Sequence, residues 1–106
     1  MGQKLKLVPD AIFEKLVHVP VAGEEQPREI VFNFKYKSVS ERDKLLQDFE
    51  SFDDVVEPLM EIIEGWDLDE VFSQQNLKLL VDNYDGLVYL ILQAYVFELT
   101  KAREKN

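Results

Sequence analysis

The sequence contains no cysteine and only one histidine, one tryptophan, four glycines and four prolines in 106 residues. Without cysteine it can form no disulfide and no zinc site built on thiolates, which favours an intracellular protein stabilised by packing alone. The low glycine and proline content argues against linker or low-complexity sequence, and 46% hydrophobic residues can fill one modest core. We therefore expect a single domain over residues 1–106.

Long hydrophobic runs are also missing. The most apolar stretch, residues 87–97, is interrupted by Gln93 and is much shorter than the roughly 20 residues that span a bilayer. Residues 1–15 lack the apolar centre of a signal peptide, and Lys6 occupies the position where a myristoylation motif needs Ser or Thr. We expect neither a membrane span nor a targeting signal.

Basic residues are scarce in the middle of the chain. The net charge is −9, and residues 41–70 carry two basic and twelve acidic side chains, against six and five in residues 1–39. Such a surface repels phosphate, so we expect no direct binding to nucleic acid or anionic membranes. A solvated acidic helix face is the simpler interpretation, and steering of basic partners is the alternative.

Motifs for catalysis and for cofactor or metal binding are absent from the sequence. There is no glycine-rich phosphate loop, no GxSxG turn and no HExxH pair, and His18 lies on the polar side of a predicted strand. The acidic stretch that begins at Asp67 is not a calcium loop, because Val71, Phe72 and Lys78 replace a ligand, the glycine and the final glutamate. We predict no enzyme, no cofactor and no metal.

Hydrophobic alternation with a period of two predicts two strands near the N-terminus. One face of the first holds Phe13, Val17, Val19 and Val21, and one face of the second holds Ile30, Phe32, Phe34 and Tyr36. The polar segment 22–29, with Gly23 and Pro27, is typical of the loop of an antiparallel hairpin. Residues 5–8 are a candidate for a short third strand.

Four helices are predicted after residue 39, which gives an α+β fold with a hairpin part (1–39) and a helical part (40–106). The first helix is expected over about 41–50, with Ser40 as N-cap and Asp43 completing an approximate capping box. The second is expected to start at Ser51 with Asp54 and to stop at Gly65, while Pro58 kinks it or begins it afresh.

The third and fourth helices have clearer signals. Ser73 is the expected N-cap of the third, which should bury Leu77, Leu80 and either Val81 or Tyr84. The fourth, over about 86–103, is apolar almost all round between 87 and 97. It must be covered by other elements of the chain, by a second copy in a homo-oligomer, or by a partner. Its aromatic residues Tyr89, Tyr95 and Phe97 are candidate partner contacts.

The only tryptophan lies in "GWDLDEVFS", which we interpret as a corner between the second and third helices. Trp66 and Phe72 are expected to pin this corner to the core. Asp67, Asp69 and Glu70 are expected to point to water, near the N-terminus of the third helix, where negative charge is favourable. If Trp66 is exposed instead, it becomes a further candidate partner contact.

These features together resemble a family. Tyr36-Lys37 at a strand end, "SERD" opening a helix, Gly65-Trp66 before "DLDEVFSQQNLKLLVDNYDG", and the ending "AYVFELTKAREKN" are similar to the small tail assembly chaperones of tailed bacteriophages and prophages. The resemblance covers about residues 30–106. Val71 and Asp85 stand where that family often has proline, a difference that affects turn rigidity more than function.

The resemblance implies a non-enzymatic cytoplasmic protein that is absent from the mature virion. Such a protein binds the tape measure protein, keeps it soluble and helps to recruit tail tube subunits. Two alternatives are open. One is a minor tail protein retained in the virion. The other is an acidic mimic of DNA that inhibits a nucleic-acid-binding host protein with the carboxylates of Asp43, Asp48, Glu50, Asp53, Asp54, Glu57 and Glu61.

Overall fold

A computed structural model describes residues 2–51 and 54–104 of the chain. The elements follow in the order β1 (Ile12–Val19), β2 (Arg28–Lys35), α1 (Val39–Ser51), α2 (Val56–Ile62), β3 (Ile63–Trp66), α3 (Gln74–Asn83) and α4 (Leu87–Glu104). Three antiparallel strands in the order β1-β2-β3 form one sheet. The α+β class and the order of a hairpin followed by helices are confirmed.

The hairpin of β1 and β2 has the register that the alternation predicts. Phe13 lies opposite Phe34 and Val17 opposite Ile30 on the inner face of the sheet, which is turned toward the helices. Leu16 lies opposite Val31 on the outer face, which is exposed along β1. The loop turns at Gly23, whose φ of 85° is a conformation that glycine adopts readily.

The third strand lies elsewhere in the chain than predicted. Residues 5–8 form no strand, and β3 is built from residues that we assigned to the end of the second helix. That helix ends at Ile62, and Gly65 lies within β3 and does not stop the helix. The physical reason is that β2 would otherwise have one edge unpaired, and Ile63 and Trp66 fill that edge while adding apolar side chains to the core.

The start of α1 is capped two residues earlier than predicted. Glu41 N donates to Ser38 Oγ at 3.3 Å, and Ser38 N donates to Glu41 Oε1 at 2.9 Å. This reciprocal pair is a capping box. Ser40 and Asp43 have the same spacing in the sequence, but the glutamate side chain is the longer one and reaches back to the backbone. The prediction of Ser40 as N-cap was therefore wrong.

The start of α2 decides between the two predictions for Pro58, a kink in the helix or a new beginning. The helix begins at Val56, so Pro58 lies in its first turn and begins a new helix without kinking an existing one. Asp54 Oδ1 accepts a hydrogen bond from Val56 N at 2.9 Å, whereas Ser51, the predicted start, is the last residue of α1. Ser73 does cap α3, because its Oγ accepts from Asn76 N at 3.0 Å.

The core lies between the inner face of the sheet and the helices. α4 packs against β1, and α2 packs against β2, β3 and α3. Phe32, Phe34, Leu59, Ile62, Leu77, Leu87, Ile91 and Tyr95 are among its fully buried side chains. Within residues 2–51 and 54–104, no helix combines the length and the apolar character needed to cross a bilayer.

Candidate functional site

Trp66 lies at the end of β3 and packs edge-on against two phenylalanines. Its ring centroid is 5.0 Å from that of Phe72 and 6.5 Å from that of Phe32. Its Nε1 donates a hydrogen bond to the backbone oxygen of Glu70 at 2.7 Å, which closes the turn after the strand. The side chain is half-buried, so one part fixes the turn and the other part is open to solvent.

The acidic turn that follows Trp66 is attached to the sheet. Asp69 and Glu70 are exposed, and Asp67 is exposed as well. Asp67 nevertheless continues the strand pairing: its N donates to Val31 O at 3.2 Å, and its Oδ1 accepts from Val31 N at 2.9 Å. The sequence indicated the exposure of this carboxylate but gave no signal for its bond to β2.

A groove with a volume of about 930 Å³ opens beside Trp66. We call it the Trp66 groove. Its walls are the ends of β1 and β2 next to the hairpin loop, the turn after β3, the side of α3 and the start of α4. Its apolar lining consists of Val19, Pro20, Val21, Ala22, Ile30, Trp66, Leu68, Leu79, Leu80, Tyr84 and Leu87. Leu79 is 60% exposed at the groove, so a large apolar side chain is available there to a partner.

Charges at the Trp66 groove are mainly negative. Glu70 and Asp85 contribute carboxylates. The one basic residue in its lining, Arg28, is engaged by Glu24 through two hydrogen bonds of 2.9 Å. This pairing lowers the pKa of Glu24 and raises that of Arg28, mainly through the hydrogen bonds between the two side chains. The groove thus combines an apolar floor with an acidic rim.

The three candidate residues on α4 have different surroundings. Tyr95 is only 1% exposed, and its hydroxyl donates to Lys35 O at 2.8 Å, while Tyr89 is 67% exposed. Burial raises the pKa of Tyr95 to about 12. Phe97 is exposed beside β1, where Lys15 Nζ lies 5.7 Å from its ring centroid. Of the four candidates, only Trp66 lines the groove, so the structure does not bring them together.

Other polar groups lie outside this groove. His18 is exposed on the outer face of the sheet, as predicted, with Nδ1 3.7 Å from Glu29 Oε2. Among the described residues, no cluster of three or more acidic or histidine side chains could hold a metal ion.

The acidic residues proposed for a DNA mimic are only partly described. Asp43, Asp54, Glu57 and Glu61 are exposed on or next to α1 and α2. Asp53 and the side chain of Glu50 lie outside the described residues.

The structure is that of a small α+β domain with an apolar groove that carries acidic residues at its rim. The sequence profile of the phage tail assembly chaperone family matches residues 1–106, which is the whole chain. The protein therefore belongs to that family, as the resemblance indicated, and a chaperone role is non-enzymatic. Searches of the curated proteins and of the solved structures found no match.

Proposed function

We propose that the protein binds the tape measure protein, keeps it soluble before the tail tube polymerises, and helps to recruit tail tube subunits. It would do so in the bacterial cytoplasm and be absent from the mature virion. Membership of the family supports the general role. The observation that carries the specific proposal is the Trp66 groove, an open apolar surface next to a half-buried tryptophan.

The lining of the groove suits an amphipathic helix. A helix of this kind presents apolar side chains at positions i, i+3, i+4 and i+7, and these insert into a groove between structural elements. Trp66 and Tyr84 provide large contact areas with few rotamers, and Leu79 adds an exposed aliphatic contact. A long helical protein whose apolar stripes lack cover before assembly would bind many copies of such a domain.

Charge would act mainly on solubility and on the rate of association. The net charge of −9 makes neighbouring bound copies repel one another, which opposes aggregation of the complex. The carboxylates of Glu70 and Asp85 would attract basic residues that flank the apolar stripe of the partner. Since apolar contacts would supply most of the affinity, moderate salt should weaken binding only slightly.

Exposed aromatic residues on α4 would provide a second contact. Tyr95 is part of the core, so Tyr89 and Phe97 are the two aromatic candidates on α4 that a partner can reach. In this proposal, Tyr89 and Phe97 contact the part of the same partner that extends beyond the Trp66 groove.

Co-expression with the tape measure protein tests this function. The native chain should keep the tape measure protein in the soluble fraction, and Leu79→Lys should lose most of that effect, because the charge enters the apolar groove. Val39→Lys is the matched control, since Val39 is 64% exposed at the start of α1, outside the groove. Melting curves establish that both variants fold.

Three outcomes would contradict the proposal in different ways. If the native chain does not solubilise the tape measure protein, the function is wrong. If Leu79→Lys works as well as the native chain, the function stands and the Trp66 groove is not the site. Variants Tyr89→Lys and Phe97→Lys then test α4 as the site by the same assay. If none of the three substitutions weakens solubilisation, neither surface binds the tape measure protein.

A further inference from the structure

We propose that residues 3–8 of one chain pair as a strand with the exposed edge of β1 in a second copy of the chain. This self-association is independent of the proposed function, because it needs no tail protein. The proposal rests on two features of the same molecule. Residues 3–8 have the alternating pattern of a strand but pair with no strand, and β1 has an unpaired edge.

The donor segment has the pattern of a strand but no strand partner. Lys4, Leu5, Lys6 and Leu7 alternate between basic and apolar side chains, which in an extended chain places the leucines on one face. Both leucines are fully exposed, and the adjoining Val8 is largely exposed. The ion pair of Lys6 Nζ with Asp10, at 2.7 Å, is itself exposed and gives the leucines no cover. A contiguous group of exposed apolar side chains marks an interaction site.

The acceptor is the free edge of β1. Within the described part of the chain, the strand order β1-β2-β3 leaves β1 without a neighbour on one side. Tyr36 N donates to Ala11 O at 2.8 Å, which fixes the phase of the antiparallel ladder. Because hydrogen-bonded and non-hydrogen-bonded pairs alternate, the backbone groups of Ile12, Glu14, Leu16 and His18 face away from β2. These groups can pair with an added strand.

The side chains of this edge also suit the donor segment. Ile12 and Leu16 are exposed on the outer face of β1, and Leu16 lies beside Val31 of β2. An added strand that carries Leu5 and Leu7 on the same face would set one leucine directly beside Leu16 and the other beside Glu14 or His18, its neighbours on that face. β1 has eight residues and residues 3–8 number six, so the edge is long enough for the whole segment.

One feature that commonly protects strand edges is neutralised here. An inward-pointing charge on an edge strand opposes pairing with another chain, and Lys15 points inward at the middle of β1. Its Nζ, however, lies 3.2 Å from Glu98 Oε1 and above the ring of Phe97. The Lys15 charge is already paired within the chain, so it does not oppose the pairing of another strand with the edge of β1.

The segment is directed to a second copy and away from its own edge by Pro9. A two-residue loop of Pro9 and Asp10 would have to join residues 3–8 to the strand that begins beside Ala11. The turns that suit such hairpin loops need a positive φ at the first loop residue, whereas the proline ring holds φ at about −65°. A second copy offers the same β1 edge without this turn, and its net negative charge attracts Lys4 and Lys6.

Complementation between two variants tests the pairing by sedimentation, with no tail protein present. A chain lacking residues 2–8 loses the donor and keeps the edge. Leu16→Pro removes a backbone N–H that faces outward from the edge of β1, and it keeps the donor segment. If the proline variant does not fold, Leu16→Asp is used in its place. Val71→Lys is the control for loss of an exposed apolar side chain away from both segments, since Val71 is 76% exposed in the turn before α3.

The native chain and Val71→Lys should associate as concentration rises, and each of the other two variants should sediment as a monomer. An equimolar mixture of those two should form heterodimers, since one supplies the strand and the other the edge. The proposal is overturned if the native chain stays monomeric, as it would if residues 3–8 folded back onto their own β1. It is also overturned if the shortened chain associates like the native one, or if the mixture stays monomeric.

Discussion

The hydroxyl group of Tyr95 on α4 donates a hydrogen bond to the backbone oxygen of Lys35 at the end of β2, over 2.8 Å. The Tyr95 ring also contacts Phe34 edge-on, with centroids 5.2 Å apart, and stacks on Phe13 at 5.8 Å. Tyr95 therefore attaches the last helix to the hairpin through both packing and a part-buried hydrogen bond.

Replacing Tyr95 by phenylalanine should destabilise the fold. The ring contacts are kept, but the Lys35 carbonyl loses its donor in a part-buried position, so we expect a loss of about 1–2 kcal/mol in the free energy of unfolding. Chemical denaturation measures it. Tyr89→Phe is the matched control, because Tyr89 is exposed, and it should change stability by less than about 0.5 kcal/mol. Equal effects of the two substitutions would contradict the role assigned to Tyr95.

Stability should also fall at high pH because of Tyr95. Burial raises the pKa of this side chain to about 12 in the folded chain, above the ordinary value of 10.0. As pH rises from about 10 to about 12, the unfolded chain releases this proton while the folded chain retains it, so the unfolded state is favoured. Denaturation midpoints across that range should decline less steeply in Tyr95→Phe than in the native chain. Parallel curves would show that another group causes the decline.

The capping box of α1 gives a direct comparison between two serines. Ser38→Ala removes the acceptor for Glu41 N and should cost about 1 kcal/mol of stability. Ser40→Ala has the same chemistry two residues later, within the first turn of the helix, and should have an effect below about 0.5 kcal/mol. A larger loss for Ser40→Ala would support the cap that the sequence alone suggested.

Trp66 should contribute to stability as well as to the groove. Trp66→Ala removes the contacts with Phe72 and Phe32, and because the ring is half-buried we expect a loss near the lower end of the range for such truncations, about 3 kcal/mol. Trp66→Phe keeps part of the packing but loses the hydrogen bond to Glu70 O and should cost about 1 kcal/mol. A loss below about 1 kcal/mol for Trp66→Ala would mean that the ring serves partner binding alone.

A chaperone that acts only during assembly should not be found in the finished particle. Mass spectrometry of purified virions should detect the tape measure and tail tube proteins but not this chain, while lysates sampled before tail completion should contain it. Its recovery from virions in a fixed ratio to the tape measure protein would favour the alternative of a minor tail protein.

The parts of the fold with strict local patterns could be predicted from the sequence. The alternation in residues 13–21 and 30–36 determined the hairpin and its inner face, and Ser73 determined the start of α3. β3 could not be predicted, because "EIIEGW" also fits the end of a helix. The deciding interaction is its pairing with Phe32 and Phe34, about thirty residues earlier in the chain.

The candidate site was less predictable than the fold. α4 is apolar on nearly all sides, so the sequence did not indicate that Leu87, Ile91 and Tyr95 face the core while Tyr89 and Phe97 do not. The Trp66 groove combines side chains from the hairpin, the turn after β3, and α3. Those segments are far apart in the sequence, and no local pattern signals that they meet.

The position of β3 after two helices has a consequence for synthesis of the chain. The hairpin is complete once residue 35 has been made, but the second neighbour of β2 is not complete until Trp66. At ordinary translation rates, residues 36–66 take roughly 2–6 s to synthesise. Until that point, the edge of β2 that pairs with Ile63 and Trp66 has no partner strand within the nascent chain. The three-stranded sheet of this family member can therefore be completed only after both α1 and α2 have been synthesised.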